Sequence, residues 1–221
     1  MKVVEIFKSI EGEGVRAGLP VTFIRLYGCN LRCEYCDTKY SYEEANEEST
    51  HPYQTMTVDE IVEMVEQFDC PNVTITGGEP LIHRDIEKLL DTLLFVGFDI
   101  NVETNGTCSI PSKYFDEVKI IFTMDYKCPS SGMNERMKML PFDTLRPWDV
   151  LKFVVGDTRD LDTMVEILGR VKTMPVVFVS PVFDKIEPIQ IVEYLLTHRL
   201  YNVRVQLQLH KIIWDPHQRG V

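Results

Sequence analysis

The 221-residue chain has no apolar run near the roughly 18 residues that a membrane-spanning helix needs, so no membrane partner is expected. Its opening, MKVVEIFKSIEGEG, lacks the long apolar region of a signal peptide, which predicts a cytoplasmic setting. There is no low-complexity tract and no short repeat. Basic surplus is absent too: 23 Lys and Arg stand against 34 Asp and Glu, a formal net charge of -11. Proteins that grip phosphate backbones carry a basic surplus or stripe, so nucleic acid is not expected as a partner. Cysteine is scarce at six residues, yet three of the six, Cys29, Cys33 and Cys36, fall within eight positions.

What remains is ordinary for a globular protein, with 44% hydrophobic and 26% charged residues. The length suits a single domain over 1–221. Strand-like stretches recur at PVTFIRLY (20–27), NVTIT (72–76), FDINVE (98–103), VKIIFTM (118–124), VLKFVV (150–155), PVVFVS (175–180) and VRVQLQL (203–209). Helical stretches fall between them. TVDEIVEMVEQF opens with Thr57 and Glu60 at capping-box spacing. DIEKLLDTLLFVG ends at Gly97, and PIQIVEYLLTHR starts with Pro188 in its first turn. DLDTMVEILGRVK supplies a further helix. The alternation predicts βαβ units and a parallel sheet, as an open or closed α/β barrel, with a doubly wound open sheet as the alternative. The acidic segment Ser41–His51 reads as an exposed loop or insertion.

Polar, glycine and cysteine residues follow strand after strand: Cys29, TGGEP (76–80), TNG (104–106), DYKCP (125–129), SPVF (180–183) and LHKIIW (209–214). In parallel α/β folds the carboxyl ends of strands open on one face, where ligands bind. The cysteine loop should therefore share a mouth with Gly77, Gly78, Glu79, Glu103, Asn105, Lys127 and His210.

Three thiolates at C-x3-C-x2-C spacing can converge on a metal centre. A closed zinc site or an electron-transfer cluster wants four ligands. Cys70, Cys108, Cys128 or His51 could supply the fourth from afar. Alternatively the fourth position stays open, so that one iron of a [4Fe–4S] cluster can bind a substrate or cofactor. Taken singly, Cys70, Cys108 and Cys128 read as small buried apolar residues.

CNLRCEYC, with Tyr35 at the aromatic position, and the glycine-rich TGGEP resemble the radical S-adenosylmethionine (radical SAM) superfamily. The first 38 residues narrow the likeness. F-x-S-x-x-G-E-G, G-x-P-x-x-F-x-R, GCN and CDT resemble the 7-carboxy-7-deazaguanine synthase family, as do ETNG and the QLH…RGV ending. This resemblance implies an abbreviated or partial (β/α) barrel. It implies conversion of 6-carboxy-5,6,7,8-tetrahydropterin to 7-carboxy-7-deazaguanine with loss of ammonia, a step towards queuosine-type deazapurines. It implies a [4Fe–4S] cluster, S-adenosylmethionine and Mg2+ as cofactors, a homodimer, and a flavodoxin- or ferredoxin-type electron donor.

The same resemblance assigns residues. Cys29, Cys33 and Cys36 would hold the cluster, and Thr38 the Mg2+. Gly77, Gly78, Glu79, Glu103, Asn105, Thr123, Lys127 and Ser180 would line the S-adenosylmethionine site. Ile10, Glu11, Gly12, Glu13, Arg25, Thr76, His210 and Val221 would meet the pterin. Arg25 suits a substrate carboxylate because guanidinium binds carboxylate in bidentate geometry, the alternative being an ion pair with Glu11 or Glu13. Asp37 reads as an acceptor that fixes the cluster loop, with Mg2+ ligation as its alternative. Some family members carry glutamine at the Glu11 position, and TMDYK and SPVF depart from the family pattern. Two rivals predict differently: a glycyl-radical activase needs a partner protein, and a zinc-stabilised binding module needs a fourth ligand.

Overall fold

The computed structural model describes residues 1–44, 52–216 and 218–221. Among these residues nine strands form one open sheet in the order β3-β1-β2-β4-β5-β6-β7-β8-β9. They are β1 (Lys2–Ile10), β2 (Pro20–Leu26), β3 (Gln54–Thr55), β4 (Asn72–Gly77), β5 (Asp99–Thr104), β6 (Ile120–Tyr126), β7 (Val150–Val155), β8 (Val176–Pro181) and β9 (Val203–Val205). From β2 to β9 every pairing is parallel. These seven strands are the seven expected from the sequence, although β9 is shorter than the VRVQLQL stretch. β1 and β3 are additional, and both pair antiparallel at the β2 edge. The expected abbreviated barrel is present, and it does not close.

The helices begin where local chemistry starts them. In α1 (Val58–Glu66) the Thr57 hydroxyl accepts from Glu60 N–H while the Glu60 carboxylate accepts from Thr57 N–H, a complete capping box. α2 (Ile86–Val96) ends at Gly97, whose φ of 111° closes the last turn. The short α3 (Met139–Phe142) was not foreseen. α4 (Thr158–Leu168) starts two residues earlier than the DLDTMVEILGRVK reading, because the Asp157 carboxylate accepts from Arg159 and Asp160 N–H. α5 (Pro188–Thr197) has Pro188 in its first turn, and a short α6 (His210–Ile213) follows β9.

The sheet has two unlike faces. Side chains at i and i+2 share a face. Ile75, Val102, Phe122, Met124, Leu151, Phe153 and Val179 pack with Ile61, Leu89, Leu93, Leu161 and Ile191 of the helices into one continuous apolar core. The opposite face carries Thr74 and Thr76, Asn101 and Glu103, Thr123 and Asp125, then Lys152. Parallel strands buried on both sides usually read as unbroken apolar runs. Here each strand alternates, because one face is core and the other lines a polar hollow. Strand register then sets polar groups abreast: Glu5 opposite Arg25, Arg25 beside Thr76, Glu103 beside Thr123, and Asp125 beside Lys152.

The Ser41–His51 expectation is corrected at its start. Ser41 is fully buried and its carbonyl accepts from Gly28 N–H at 2.7 Å, so it braces the cysteine loop. Residues 45–51, including His51, lie outside the described residues.

Candidate active site

β2 ends at Leu26 and delivers the chain into the cysteine loop. Cys29, Cys33 and Cys36 are free, half-buried thiols. The loop is held from several sides. Tyr35 donates its hydroxyl to the Val154 carbonyl at 3.3 Å, and Glu34 N–H donates to the Ser131 carbonyl at 3.0 Å. The Asn105 amide at the end of β5 donates to Asn30 Oδ1 at 2.8 Å and reaches Cys29 Sγ at 3.6 Å. Burial pushes the Cys29 and Cys33 thiols up, and the Lys127 ammonium near Cys33 opposes this.

Among the described residues no three Cys, His, Asp or Glu side chains converge on the point where a single ion would sit. A structural zinc site requires that convergence. An iron–sulfur cluster does not, because each thiolate binds a different iron at its own corner. The backbone supplies the rest of the cradle. A Cβ on Gly78 would lie 1.9 Å from the Gly28 carbonyl oxygen and 3.0 Å from Cys29 N, so only glycine lets the β4 turn touch the cysteine loop. Three free thiols, a backbone turn pressed against them and a neighbouring cation fit a three-cysteine [4Fe–4S] site.

Glu79 is fully buried and faces this junction. Its carboxylate accepts from Leu81 N–H at 2.9 Å, Thr104 hydroxyl at 2.7 Å and Asn105 N–H at 2.6 Å. It thereby ties the β4 turn to the β5 end, with little accepting capacity left for a ligand. Lys127 pairs with Asp125 at 2.8 Å beside the loop. Thr123 is buried and donates to Asn101 at 2.9 Å. Ser180, at the end of β8, is fully buried with its hydroxyl unpartnered among the described residues.

Of the pterin-side candidates, Ile10, Glu11, Gly12, Glu13 and His210 gather around the β1–β2 connection, whereas Arg25 and Thr76 lie further along β2 and β4. Glu11 is buried and accepts from the Thr74 hydroxyl at 2.6 Å, while Thr76 donates to Glu103 at 2.7 Å. Ile10 ends β1, and Gly12 accepts from Leu209 N–H at 3.1 Å. His210 packs so tightly there that a Cβ on Gly12 would meet its Nδ1 at 2.4 Å. Burial pushes the imidazole of His210 down, towards its neutral form. Burial and the neighbouring Glu103 and Glu13 push the Glu11 carboxyl up to about 8. Arg25 pairs with Glu5 at 2.7 Å, not with Glu11 or Glu13 as the ion-pair alternative had it. Asp37 accepts from Lys211 of α6 at 3.2 Å, a contact that ties the cysteine loop to the tail. Val221 is half-buried, and the tail before it returns to this region, with the Arg219 guanidinium 3.9 Å from the Tyr40 ring centre.

Sequence reasoning missed Lys152, Asp125, Glu5, Gln206, Gln208 and Lys211. Lys152 carried a signal, being the lone charge in VLKFVV. QLQLH carried another, because its alternation sends both glutamines to one side.

An α/β sheet whose carboxyl edge presents three free thiols against a glycine turn defines the radical SAM class, and a radical SAM superfamily model matches residues 23–120. The match runs from β2 to the start of β6. The chain is 42% identical to the 7-carboxy-7-deazaguanine synthase of Clostridium acetobutylicum, over 100% of this chain and 99% of the relative. It is 39% identical to the synthase of the same name from Methanospirillum hungatei, over 98% of this chain and 86% of that one. The crystal structure of QueE from Escherichia coli superposes with a TM-score of 0.75 at 24% identity, over 95% of this chain and 94% of that one, a likeness of fold. The chain belongs to the 7-carboxy-7-deazaguanine synthase family of radical SAM enzymes. Membership brings with it a [4Fe–4S] cluster and S-adenosylmethionine.

Proposed function

We propose that this enzyme converts 6-carboxy-5,6,7,8-tetrahydropterin to 7-carboxy-7-deazaguanine with loss of ammonia, as a step towards queuosine-type 7-deazapurines. The observation that carries the reading is the meeting of the three-thiol loop with the Gly77–Gly78 turn, in a chain alignable end to end with synthases of that name.

Cys29, Cys33 and Cys36 would hold the cluster, which with bound S-adenosylmethionine supplies the radical chemistry. Gly77 and Gly78 would offer backbone acceptors, with Asn105, Thr123, Lys127 and Ser180 lining that side. Ser180 has the hydroxyl to spare for a ligand. Glu79 and Glu103 would act chiefly by fixing this wall, since Glu79 spends its carboxylate on the protein and Glu103 accepts from Thr76. On the other side, Ile10, Glu11, Gly12, Glu13, Thr76 and His210 would meet the pterin, and Arg25 its carboxylate. Val221 would approach from the tail.

Mg2+ keeps several waters and often takes few protein ligands. Thr38 fits that habit: its hydroxyl stands 3.7 Å from Cys36 Sγ, and Asp37 beside it is engaged by Lys211. Thr38 would hold Mg2+ against the substrate carboxylate. The single-domain organisation, the homodimer and the flavodoxin- or ferredoxin-type donor belong to the same reading. So does a cytoplasmic setting, which suits six free thiols. Among the described residues no helix is long and apolar enough to cross a membrane.

Anaerobic reconstitution with iron and sulfide, then reaction with S-adenosylmethionine, Mg2+, reductant and the tetrahydropterin, tests the proposal. Mass spectrometry should find 7-carboxy-7-deazaguanine, lost in Cys33→Ala. Formation of 5′-deoxyadenosine with the pterin untouched would reject the substrate and keep the class.

A further inference from the structure

Lys152 is buried in a strand that is otherwise apolar, and its ammonium pairs with the Glu13 carboxylate. Glu13 is held on its other oxygen by Gln208 Nε2 at 2.7 Å. The backbone around it is equally constrained. Gln206 accepts from Gly14 N–H at 2.7 Å and donates to the Gly14 carbonyl at 3.0 Å, and Leu209 N–H reaches the Gly12 carbonyl at 3.1 Å. Residues 10–14 are thus clamped by the chain that follows β9 and, through one charge, by β7.

An ion pair of this kind contributes little to stability compared with apolar side chains of similar volume. Phe178 lies next to Lys152 in register on β8, so an apolar residue at 152 would have a partner to pack against. The charge therefore asks for a reason other than folding. Its surroundings give one. Glu13 and Glu11 face it from the β1–β2 connection, Glu103 from β5, Asp125 from β6, Asp37 from the cysteine loop, and His210 from α6. Asp125 already holds Lys127, which leaves Lys152 as the cation three glutamates share. Without it Glu13 would stand without its ion-pair partner in the wall that is to meet the pterin.

We propose that Lys152 is a positioning residue for the pterin acid. By pairing with Glu13 it fixes the 10–14 segment in the conformation that meets the heterocycle. The inference rests on the pterin reading above.

The test uses the reconstituted enzyme with S-adenosylmethionine and no reductant, and fluorescent, unreactive 6-carboxypterin as the probe. Lys152→Met should bind the probe more weakly by about 30-fold or more, as when one partner of a buried hydrogen-bonded charge pair is removed. Its iron content and S-adenosylmethionine affinity should match wild type. Lys152→Arg should recover part of the loss. Glu13→Gln combined with Lys152→Met should be no weaker than Glu13→Gln alone, because both changes remove one contact. The double variant leaves neither member of the Lys152–Glu13 pair facing an absent partner, so it serves even where Lys152→Met fails to fold. Wild-type affinity in Lys152→Met or in the double variant overturns the proposal, as do losses that multiply. A wild-type enzyme that binds no 6-carboxypterin rejects the substrate reading instead.

Discussion

Glu11 is a carboxyl placed where a charge is costly. It is 2% exposed, lies near Glu103 and Glu13, and shares the attraction of Lys152 with them. Its proton is held up to about pH 8 in the folded protein, against an ordinary value of 4.5. Between those limits the folded state binds more protons than the unfolded one, so stability falls as pH rises through the window and is unaffected below it. Glu11→Gln in the cluster-free protein should therefore flatten the decline of Tm from about pH 4.5 to about pH 8, by about 2–4 °C for each kcal/mol removed. Some slope should persist, because burial pushes Glu79 and Glu103 up as well. An unchanged slope would mean that Glu11 ionises normally. Single residues also mark the limit of what the sequence made legible. Cys29, Cys33 and Cys36 declare themselves because their relation is local and lies in the spacing. The partners of Arg25 and Asp37 do not, because Glu5 and Lys211 reach them only through strand pairing and the return of the tail.

At the scale of elements, the junction between the ends of β2 and β4 places two loops in backbone contact. Gly78 N–H donates to the Leu26 carbonyl at 2.9 Å, and Glu79 N–H to the Gly28 carbonyl at 2.8 Å. Gly77 adopts a φ of 126° on the way. A methyl group on Gly78 would meet the rigid Gly28 carbonyl, which no side-chain rotation can relieve. Gly78→Ala should therefore cost about 3 kcal/mol or more in stability, at or above the top of the ordinary range for one substitution. It should also abolish S-adenosylmethionine binding under conditions where the isolated protein remains folded. Equilibrium denaturation and ligand titration read the two effects separately. The seven parallel strands were legible because each carries an apolar core face and ends in turn or site residues. β1 was not. Its KVVEIFKSI does not alternate cleanly, and its burial is irregular along an antiparallel edge with a register shift between Val3 and Glu5. Two-residue β3 is too short to have a pattern at all. VRVQLQL looked like one long strand, but pairing with β8 stops at Val205, and the following glutamines turn aside to clamp Glu13 and Gly14.

Across the whole molecule, the open sheet leaves β9 far from β1, and the chain after β9 bridges the two. It touches Gly12 through Leu209, Asp37 through Lys211 and Tyr40 through Arg219. Tyr40 in turn donates to Glu5 at 3.3 Å, and Glu5 accepts from Arg25 at 2.7 Å. A continuous line of contacts therefore runs from the tail to the residue assigned to the substrate carboxylate. The net charge of -11 gave no hint of this, since it averages over a surface while the cations that matter here are few and placed by the fold. Arg219 is exposed, and a cation–ring contact made by an exposed cation contributes only about 0.5–1 kcal/mol. Arg219→Ala should thus shift Tm by about 2–4 °C at most for a protein of this size. Its effect on the site should be larger in kind. With Tyr40 released, Glu5 and Arg25 lose one of the contacts that hold them in place. KM for the tetrahydropterin should rise about two- to fivefold, the equivalent of about 0.5–1 kcal/mol, while kcat stays near wild type because uniform binding alone is lost. Steady-state kinetics on the reconstituted enzyme separates the two parameters. An unchanged KM would show that the tail merely rests on Tyr40, whereas a fall in kcat at constant KM would place Arg219 in the chemistry itself.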